Sequence, residues 1–151
     1  MNKKNCLFGI IIIVLSTVMF SCNKESESKI SKNFETESHN MSLNCMTCHV
    51  SGGAGEGIFQ AAGTVYNADL TATSPNGTVK LYSATNAGGN LVATIEVDAN
   101  GNFYTTDKID FTGGLYPTVT GTSGNSKNMV SASMTGQCNT CHAGTSKIWV
   151  N

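Results

Sequence analysis

The stretch LVATIEVDANGNFYTT, residues 91–106, indicates the class of structure that this chain adopts. Apolar and polar residues alternate from Leu91 to Val97, as they do in a strand that buries one face. The turn residues Asp98-Ala99-Asn100-Gly101 follow, and their Asn-Gly pair tolerates positive φ. A second short segment of β-type residues, 102–106, comes next. The stretch therefore predicts two strands separated by a tight turn.

Similar short segments, separated by turn residues, extend in both directions from this stretch. They are residues 62–66, 78–82 and 115–120, with 128–134 as the last strand. Pro117 favours an edge position, because proline has no backbone N–H to donate to a ladder. No segment between 58 and 134 has helical length and period. We therefore predict an all-β fold, a small antiparallel β-sandwich over residues 58–134.

A C-x-x-C-H motif flanks the predicted sandwich on each side, at residues 45–49 and 138–142. This spacing is the attachment signature of c-type haem. Two thiols add to the vinyl groups of one porphyrin, and the following histidine is then held where it can ligate the iron. The sequence thus predicts two covalently attached haem c groups. The thioether residues are Cys45, Cys48, Cys138 and Cys141, and the proximal iron ligands are His49 and His142.

Paired C-x-x-C motifs can also build a tetrahedral zinc site or form disulfides in an oxidising compartment. Neither use requires a histidine directly after the second cysteine. Both copies have that histidine. Haem attachment is therefore the preferred interpretation, with zinc and disulfides as its alternatives.

The distal side of each iron requires a further ligand or an open position. His39 and Met41 precede the first motif, and Met129 and Met134 precede the second. These four residues are the candidate distal ligands. The glycine-rich segment 52–57 is interpreted as backbone that can approach the porphyrin closely.

The N-terminus resembles an export signal. Lys3 and Lys4 precede an apolar run over residues 7–20, which is short for a membrane span. We expect a signal peptide over 1–21 and a bacterial lipoprotein anchor on Cys22. A flexible tether over 22–38 follows, and the haem-binding segments are 39–57 and 135–151. The expected location is the bacterial cell envelope, as an outer membrane lipoprotein on its periplasmic or surface-exposed face.

Charged residues make up only 13% of the chain, and the net charge is −1. The chain therefore has no basic footprint for nucleic acid. Its acidic character after loss of the leader favours partners that carry a basic patch. We expect redox partner proteins, including other multihaem cytochromes, membrane contact through the lipid anchor, and self-assembly as a further interaction.

Several motifs of the central segment resemble those of a known family. They are Gly63-Thr64-Val65-Tyr66, the run from Pro75 to Tyr82, the run from Val97 to Phe103, and Gly114-Leu115-Tyr116. They resemble the carboxypeptidase-regulatory-like, or transthyretin/prealbumin-like, β-sandwich, and the resemblance covers about half of the chain. It implies a non-catalytic folding or adhesive module. With a C-x-x-C-H motif on each side, the whole chain is similar to small dihaem c-type cytochrome lipoproteins.

The sequence has no nucleophile–base pair and no phosphate-binding loop, so we expect a protein that is not an enzyme. Electron transfer by an envelope-anchored dihaem c-type cytochrome is the preferred function. A haem-bearing adhesive or assembly module, as a filament or lattice, and a small haem peroxidase are the alternatives. The number of strands does not determine whether the two motifs meet. We expect them at opposite ends of the sandwich.

Overall fold

Eight β-strands form two facing sheets in the computed structural model, which describes residues 24–151. Regular helix within this range is confined to one turn, α1 (Cys138–Cys141), and to two 3-10 turns, Lys24–Ser26 and Cys45–Thr47. The strands are β1 (Ala61–Tyr66), β2 (Thr78–Ala84), β3 (Gly88–Glu96), β4 (Asn102–Thr105), β5 (Tyr116–Thr120), β6 (Ser126–Asn128), β7 (Gly136–Gln137) and β8 (Ile148–Trp149).

The predicted signal peptide, residues 1–21, and Cys22 lie outside the described residues. Within the described range, no helix combines the length and the apolar character needed to cross a bilayer.

One sheet is built around β1, and the other has the order β3-β2-β5-β6. β4 pairs antiparallel with one edge of β1, while the two-residue strands β7 and β8 pair parallel with the opposite edge. The main core lies between the sheets and includes Val65, Leu81, Ile95, Phe103 and Val119, all at most 5% exposed. The predicted all-β sandwich is therefore confirmed.

The turn at residues 98–101 connects the two sheets. β3 ends in one sheet and β4 begins in the other, so the turn carries the chain across the core. The fully buried Asp98 accepts hydrogen bonds at Oδ1 from the backbone N–H groups of Asn100 and Asn102. Gly101 has φ +84°, and a Cβ there would overlap the side chain of Thr73. Only glycine fits this corner without strain.

The last predicted strand, 128–134, is wrong in position. β6 covers Ser126–Asn128, and beyond it only Ser133 forms an isolated bridge, with Leu115. Pro117 gives the physical reason: the Met129 N–H donates to its carbonyl (2.8 Å), but proline has no N–H to return the bond. The ladder therefore stops there. β5 has β2 and β6 on its two sides, but its pairing with β6 covers only Thr118–Thr120. Pro117 therefore has an edge position locally, at the end of that ladder.

Residues 29–38 lie against the sandwich. Ile30 bridges Thr105, and the buried Ser31 donates its backbone N–H to the carbonyl of Tyr104 (2.9 Å). Further along, the Ala99 N–H donates to the carbonyl of Glu35 (2.8 Å). These residues are an ordered flank along β4, where the sequence predicted a flexible tether. The predicted haem-binding segment 135–151 also belongs to the sandwich, because it contributes β7 and β8.

Gly136 controls how closely β7 approaches β1. A Cβ at this position would overlap the carbonyl oxygen of Gln60 and lie 2.5 Å from the Cα of Ala61. We expect Gly136→Ala to lower the free energy of unfolding by about 1–3 kcal/mol, the usual cost of overpacking. Urea unfolding measures it. Gly144→Ala measures a different cost for comparison, because a Cβ there meets open space but its φ of +66° strains any residue other than glycine. An unchanged free energy of unfolding in Gly136→Ala would contradict the close approach.

Candidate functional site

The first C-x-x-C-H motif forms a capped 3-10 turn over Cys45–Thr47. Asn44 precedes the turn, and its side-chain Oδ1 accepts from the N–H of Met46 (3.2 Å). The N–H of His49 then donates to the carbonyl of Cys45 (3.0 Å). Cys45 and Met46 pack against a small apolar cluster formed by Phe59, Ala62 and Tyr104 on the outer side of β1 and β4. Local capping and this cluster together place His49.

The loop after the motif encloses the His49 ring. Its Nδ1 lies 2.7 Å from the carbonyl oxygen of Glu56, and Phe59 stacks on the ring at 3.9 Å with an interplanar angle of 3°. At Gly55 a Cβ would lie 2.7 Å from the same Nδ1. The glycine-rich segment 52–57 therefore lets backbone approach the imidazole of His49. The predicted close approach of this segment to a porphyrin stays a prediction.

The second motif is the one-turn helix α1, inserted between β7 and β8. The N–H of His142 donates to the carbonyl of Cys138 (2.9 Å), and its Nδ1 lies 2.7 Å from the carbonyl oxygen of Ser146. Cys138 packs against the main core, where a Cβ on Gly63 would lie 3.1 Å from its own Cβ. The missing side chain at Gly63 leaves room for this cysteine.

His49 and His142 have the same hydrogen-bond arrangement, although the loops that follow the two motifs differ in sequence. Each Nδ1 faces a backbone carbonyl that a following loop supplies, from Glu56 in one case and from Ser146 in the other. A carbonyl can only accept, so the neutral imidazole carries its proton on Nδ1. The Nε2 lone pair is then free for a metal, and this is the usual orientation of a ligating histidine.

An apolar cavity of about 550 Å³ opens beside the second motif. Cys138, Cys141 and His142 line it together with core residues of the sandwich, among them Val79, Phe103 and Val119. Lys127 and Trp149 lie at the same cavity and form a cation–π contact, with the ammonium 3.7 Å from the ring centroid. Its volume is within the usual range for small-molecule and cofactor sites, about 300–1,000 Å³.

The structure separates the candidate distal residues. The ring centroids of His39 and His49 are 6.4 Å apart, with the rings tilted by 41°, so the two imidazoles are neighbours. Met41 is 46% exposed. Met129 is half-buried and lines the cavity of the second motif, whereas Met134 is 62% exposed, lies near Gly114 and is outside the lining.

The two motifs lie side by side, so the expectation of opposite ends is wrong. The Asn44 side-chain amide donates to Oε1 of Gln137 (3.2 Å) and to Oγ1 of Thr140 (3.1 Å). The physical reason is the direction of pairing. β1 follows the first motif, and β7 and β8 run parallel to β1 on either side of α1. Because β7 and β8 pair in parallel with β1, the second motif is placed next to the first.

All four motif thiols are free. Burial raises the pKa of Cys45, and it raises the pKa of Cys138 to about 12, while Cys48 and Cys141 are exposed. Each motif therefore has one sheltered thiol and one accessible thiol. The zinc alternative requires the ligands to converge. Across residues 24–151 no three His, Cys, Asp or Glu side chains are grouped to hold a metal ion.

The sequence analysis missed the two asparagines that fix the motifs in place. Asn44 carries a signal that could have identified it, since asparagine directly before a short helical turn is a preferred N-cap. Asn139, 3% exposed, has no comparable local signal, because its partners Thr64 and Leu43 are distant in sequence.

No protein-family model, curated protein or solved structure matches this chain. The likeness of its strand motifs to the transthyretin-like family therefore stays a prediction, beside the two-sheet architecture that the structure shows.

The tautomer of His49 provides a direct test of this geometry. In the reduced, cofactor-free protein at a pH where imidazole is neutral, we expect both His49 and His142 to be protonated on Nδ1. Gly55→Ala should displace the His49 ring from the Glu56 carbonyl. Loss of a hydrogen bond worth about 1 kcal/mol changes the tautomer ratio about five-fold. Long-range ¹H–¹⁵N NMR measures both rings, and His142 is the internal control. An unchanged His49 ratio would contradict the assigned role of Gly55.

Proposed function

We propose that this protein is a dihaem c-type cytochrome that transfers electrons in the bacterial cell envelope. Haem c at each motif supplies a one-electron iron couple, and the polypeptide sets its surroundings. The protein is proposed to be anchored as an outer membrane lipoprotein through Cys22. Its proposed partners are redox proteins, including other multihaem cytochromes.

The observation that carries this proposal is the paired histidine geometry. His49 and His142 each direct Nδ1 to a backbone carbonyl at 2.7 Å, and each follows a C-x-x-C turn that offers two thiols on one segment. A structural zinc or disulfide role gives no reason to fix a histidine directly after each cysteine pair. Thioether attachment with axial ligation gives that reason for all six side chains.

At the second site, the residues fit a large apolar cofactor. The 550 Å³ cavity is bounded on one side by Cys138, Cys141 and His142. Met129 lines the same cavity and is the proposed distal ligand there. Trp149 and core residues supply apolar lining to it, and Lys127 at the cavity can pair with a propionate. Met129 is preferred to the other candidate, Met134, which is 62% exposed and lies outside this lining.

At the first site, His39 is the preferred distal candidate. With metal–nitrogen bonds of about 2 Å, two imidazoles on opposite sides of one ion have centroids about 6 Å apart. The observed separation of His39 and His49 is 6.4 Å. The first site is therefore proposed as bis-histidine and the second as histidine–methionine. Methionine ligation raises the potential of a haem, so the two sites should differ in potential.

Haem stoichiometry tests the proposal. The pyridine haemochrome assay and intact mass should give two haems for the mature wild-type protein. Replacing Cys45 and Cys48 with serine should leave one haem, replacing Cys138 and Cys141 should also leave one, and the four-fold variant should have none. Thr47→Ser is the matched control inside the first motif and should retain two.

A colourless matured protein, or one that carries zinc, would contradict the proposal. Six-coordinate low-spin iron at both sites favours electron transfer, while a high-spin site that reacts with peroxide favours a peroxidase.

One observation favours an assembly module as a second candidate function. The nine-residue strand β3 ends its sheet, and Leu91 and Val92 on it are 51% and 42% exposed. An open edge of this length is a template for pairing with another chain. If β3 mediates assembly, sedimentation velocity should show association that increases with concentration. Val92→Lys should abolish it, and Lys80→Arg on the neighbouring β2 should not. A monomer at every concentration would exclude this function.

A further inference from the structure

Thr64 lies on β1 between the two C-x-x-C-H motifs and contacts segments that belong to both. Its side chain is 1% exposed, and all of its hydrogen-bonding capacity is used. The hydroxyl donates to Oδ1 of Asn102 (2.7 Å), accepts from the N–H of Ser42 (3.1 Å), and accepts from Nδ2 of Asn139 (3.1 Å). One buried hydroxyl thus joins three separate segments.

The first branch of this network leads to His39. Asn102 is 1% exposed, and its Nδ2 donates to the hydroxyl of Ser38 (2.9 Å) and to the backbone carbonyl of His39 (3.3 Å). Ser42, held by the Thr64 hydroxyl, lies on the other side of His39. The backbone that carries this histidine is therefore fixed from both sides, and its ring centroid lies 6.4 Å from that of His49.

The second branch leads into the second motif. Asn139 lies between Cys138 and Cys141, and its Oδ1 accepts from the backbone N–H of Thr64 (3.1 Å) while its Nδ2 also donates to the carbonyl of Leu43 (2.9 Å). The amide of Asn139 therefore supplies a hydrogen bond to β1 where the pairing with β7 has ended and the pairing with β8 has not yet begun. Since Leu43 directly precedes Asn44 and the first motif, this branch also returns to the first site.

We infer that Thr64 is a shared positioning residue for two coupled haem sites, an inference that rests on the proposed function. Its hydroxyl holds His39 opposite His49 through Asn102 and Ser42. It also seats the second motif through Asn139. Loss of this one hydroxyl therefore disturbs the ligation of the first iron and the environment of the second at the same time.

The test uses the matured wild-type protein and its Thr64→Val variant, which removes the hydroxyl and keeps the shape. Electron paramagnetic resonance should show that the variant loses most of the low-spin bis-histidine signal of the first site. Spectroscopic redox titration should show that both midpoint potentials shift together. Thr64→Ser, which restores the hydroxyl, should return the spectrum and both midpoints to the wild-type values.

Thr105→Val is the matched control, because Thr105 is also buried on the same sheet, and among residues 24–151 its hydroxyl bonds only to the nearby N–H of Asp107 (3.0 Å). It should change neither spectrum nor midpoint. Ser38→Ala gives a milder second variant on the first branch, and it should shift only the midpoint of the first site.

An unchanged spectrum and unchanged midpoints in Thr64→Val would overturn the inference. If that variant does not accumulate, an unchanged first midpoint in Ser38→Ala overturns the His39 branch. Equal effects of Thr64→Val and Thr105→Val would reduce Thr64 to a structural role. A wild-type protein without haem would instead refute the proposed function, so the two failures are distinguishable.

Discussion

The pairing of the last segment of the chain with one edge of β1 is the constraint on which the site depends. The two-residue strands β7 and β8 contribute few hydrogen bonds. The helix of the second C-x-x-C-H motif lies between them and interrupts their pairing with β1 at Thr64. A buried N–H without a partner costs about 1–3 kcal/mol, so the interruption would be expensive if it were left open. The side-chain Oδ1 of Asn139 accepts from the backbone N–H of Thr64, so this edge of β1 stays hydrogen-bonded across the interruption. An attachment motif is thereby accommodated within a sheet.

Local patterns were sufficient for the strands and for the chemistry of the two motifs. Alternation identified β2 and most of β3, and the Cys-Cys-His spacing identified residues whose backbones do form matching turns. The errors concern contacts between distant segments. Nothing in Gly136-Gln137 or Ile148-Trp149 distinguishes two-residue parallel strands from loop, so the meeting of the motifs could not be predicted. The docking of residues 29–38 likewise depends on partners about 60–75 positions away.

The low charge content of the chain explains how the buried links are made. The salt bridges of the described residues involve partly exposed lysines near the N-terminal flank. The buried links between the two motifs instead use neutral groups, namely the amides of Asn102 and Asn139 and the hydroxyl of Thr64, while the buried carboxyl of Asp98 holds the corner between the sheets. Burying a hydrogen-bonded amide costs far less than burying a charge, and it fixes direction equally well. An abundance of Asn, Thr and Ser is therefore a means of positioning side chains in this fold.

The ordered flank also changes how far the site can lie from a membrane. With a flexible tether over 22–38, an anchor on Cys22 would allow the folded part to move by about 55–60 Å, at about 3.3–3.6 Å per extended residue. The chain is bonded to the sandwich from Lys29 onward, and Glu25 already accepts from the backbone N–H of Gly52 (2.6 Å) in the loop after the first motif. Only about three residues remain, and their full extension is about 10 Å. The same flank leads directly through Ser38 to His39 and the first motif. In the proposed lipoprotein the first site is therefore kept near the lipid surface, and a soluble partner must approach from the sides that the membrane leaves open.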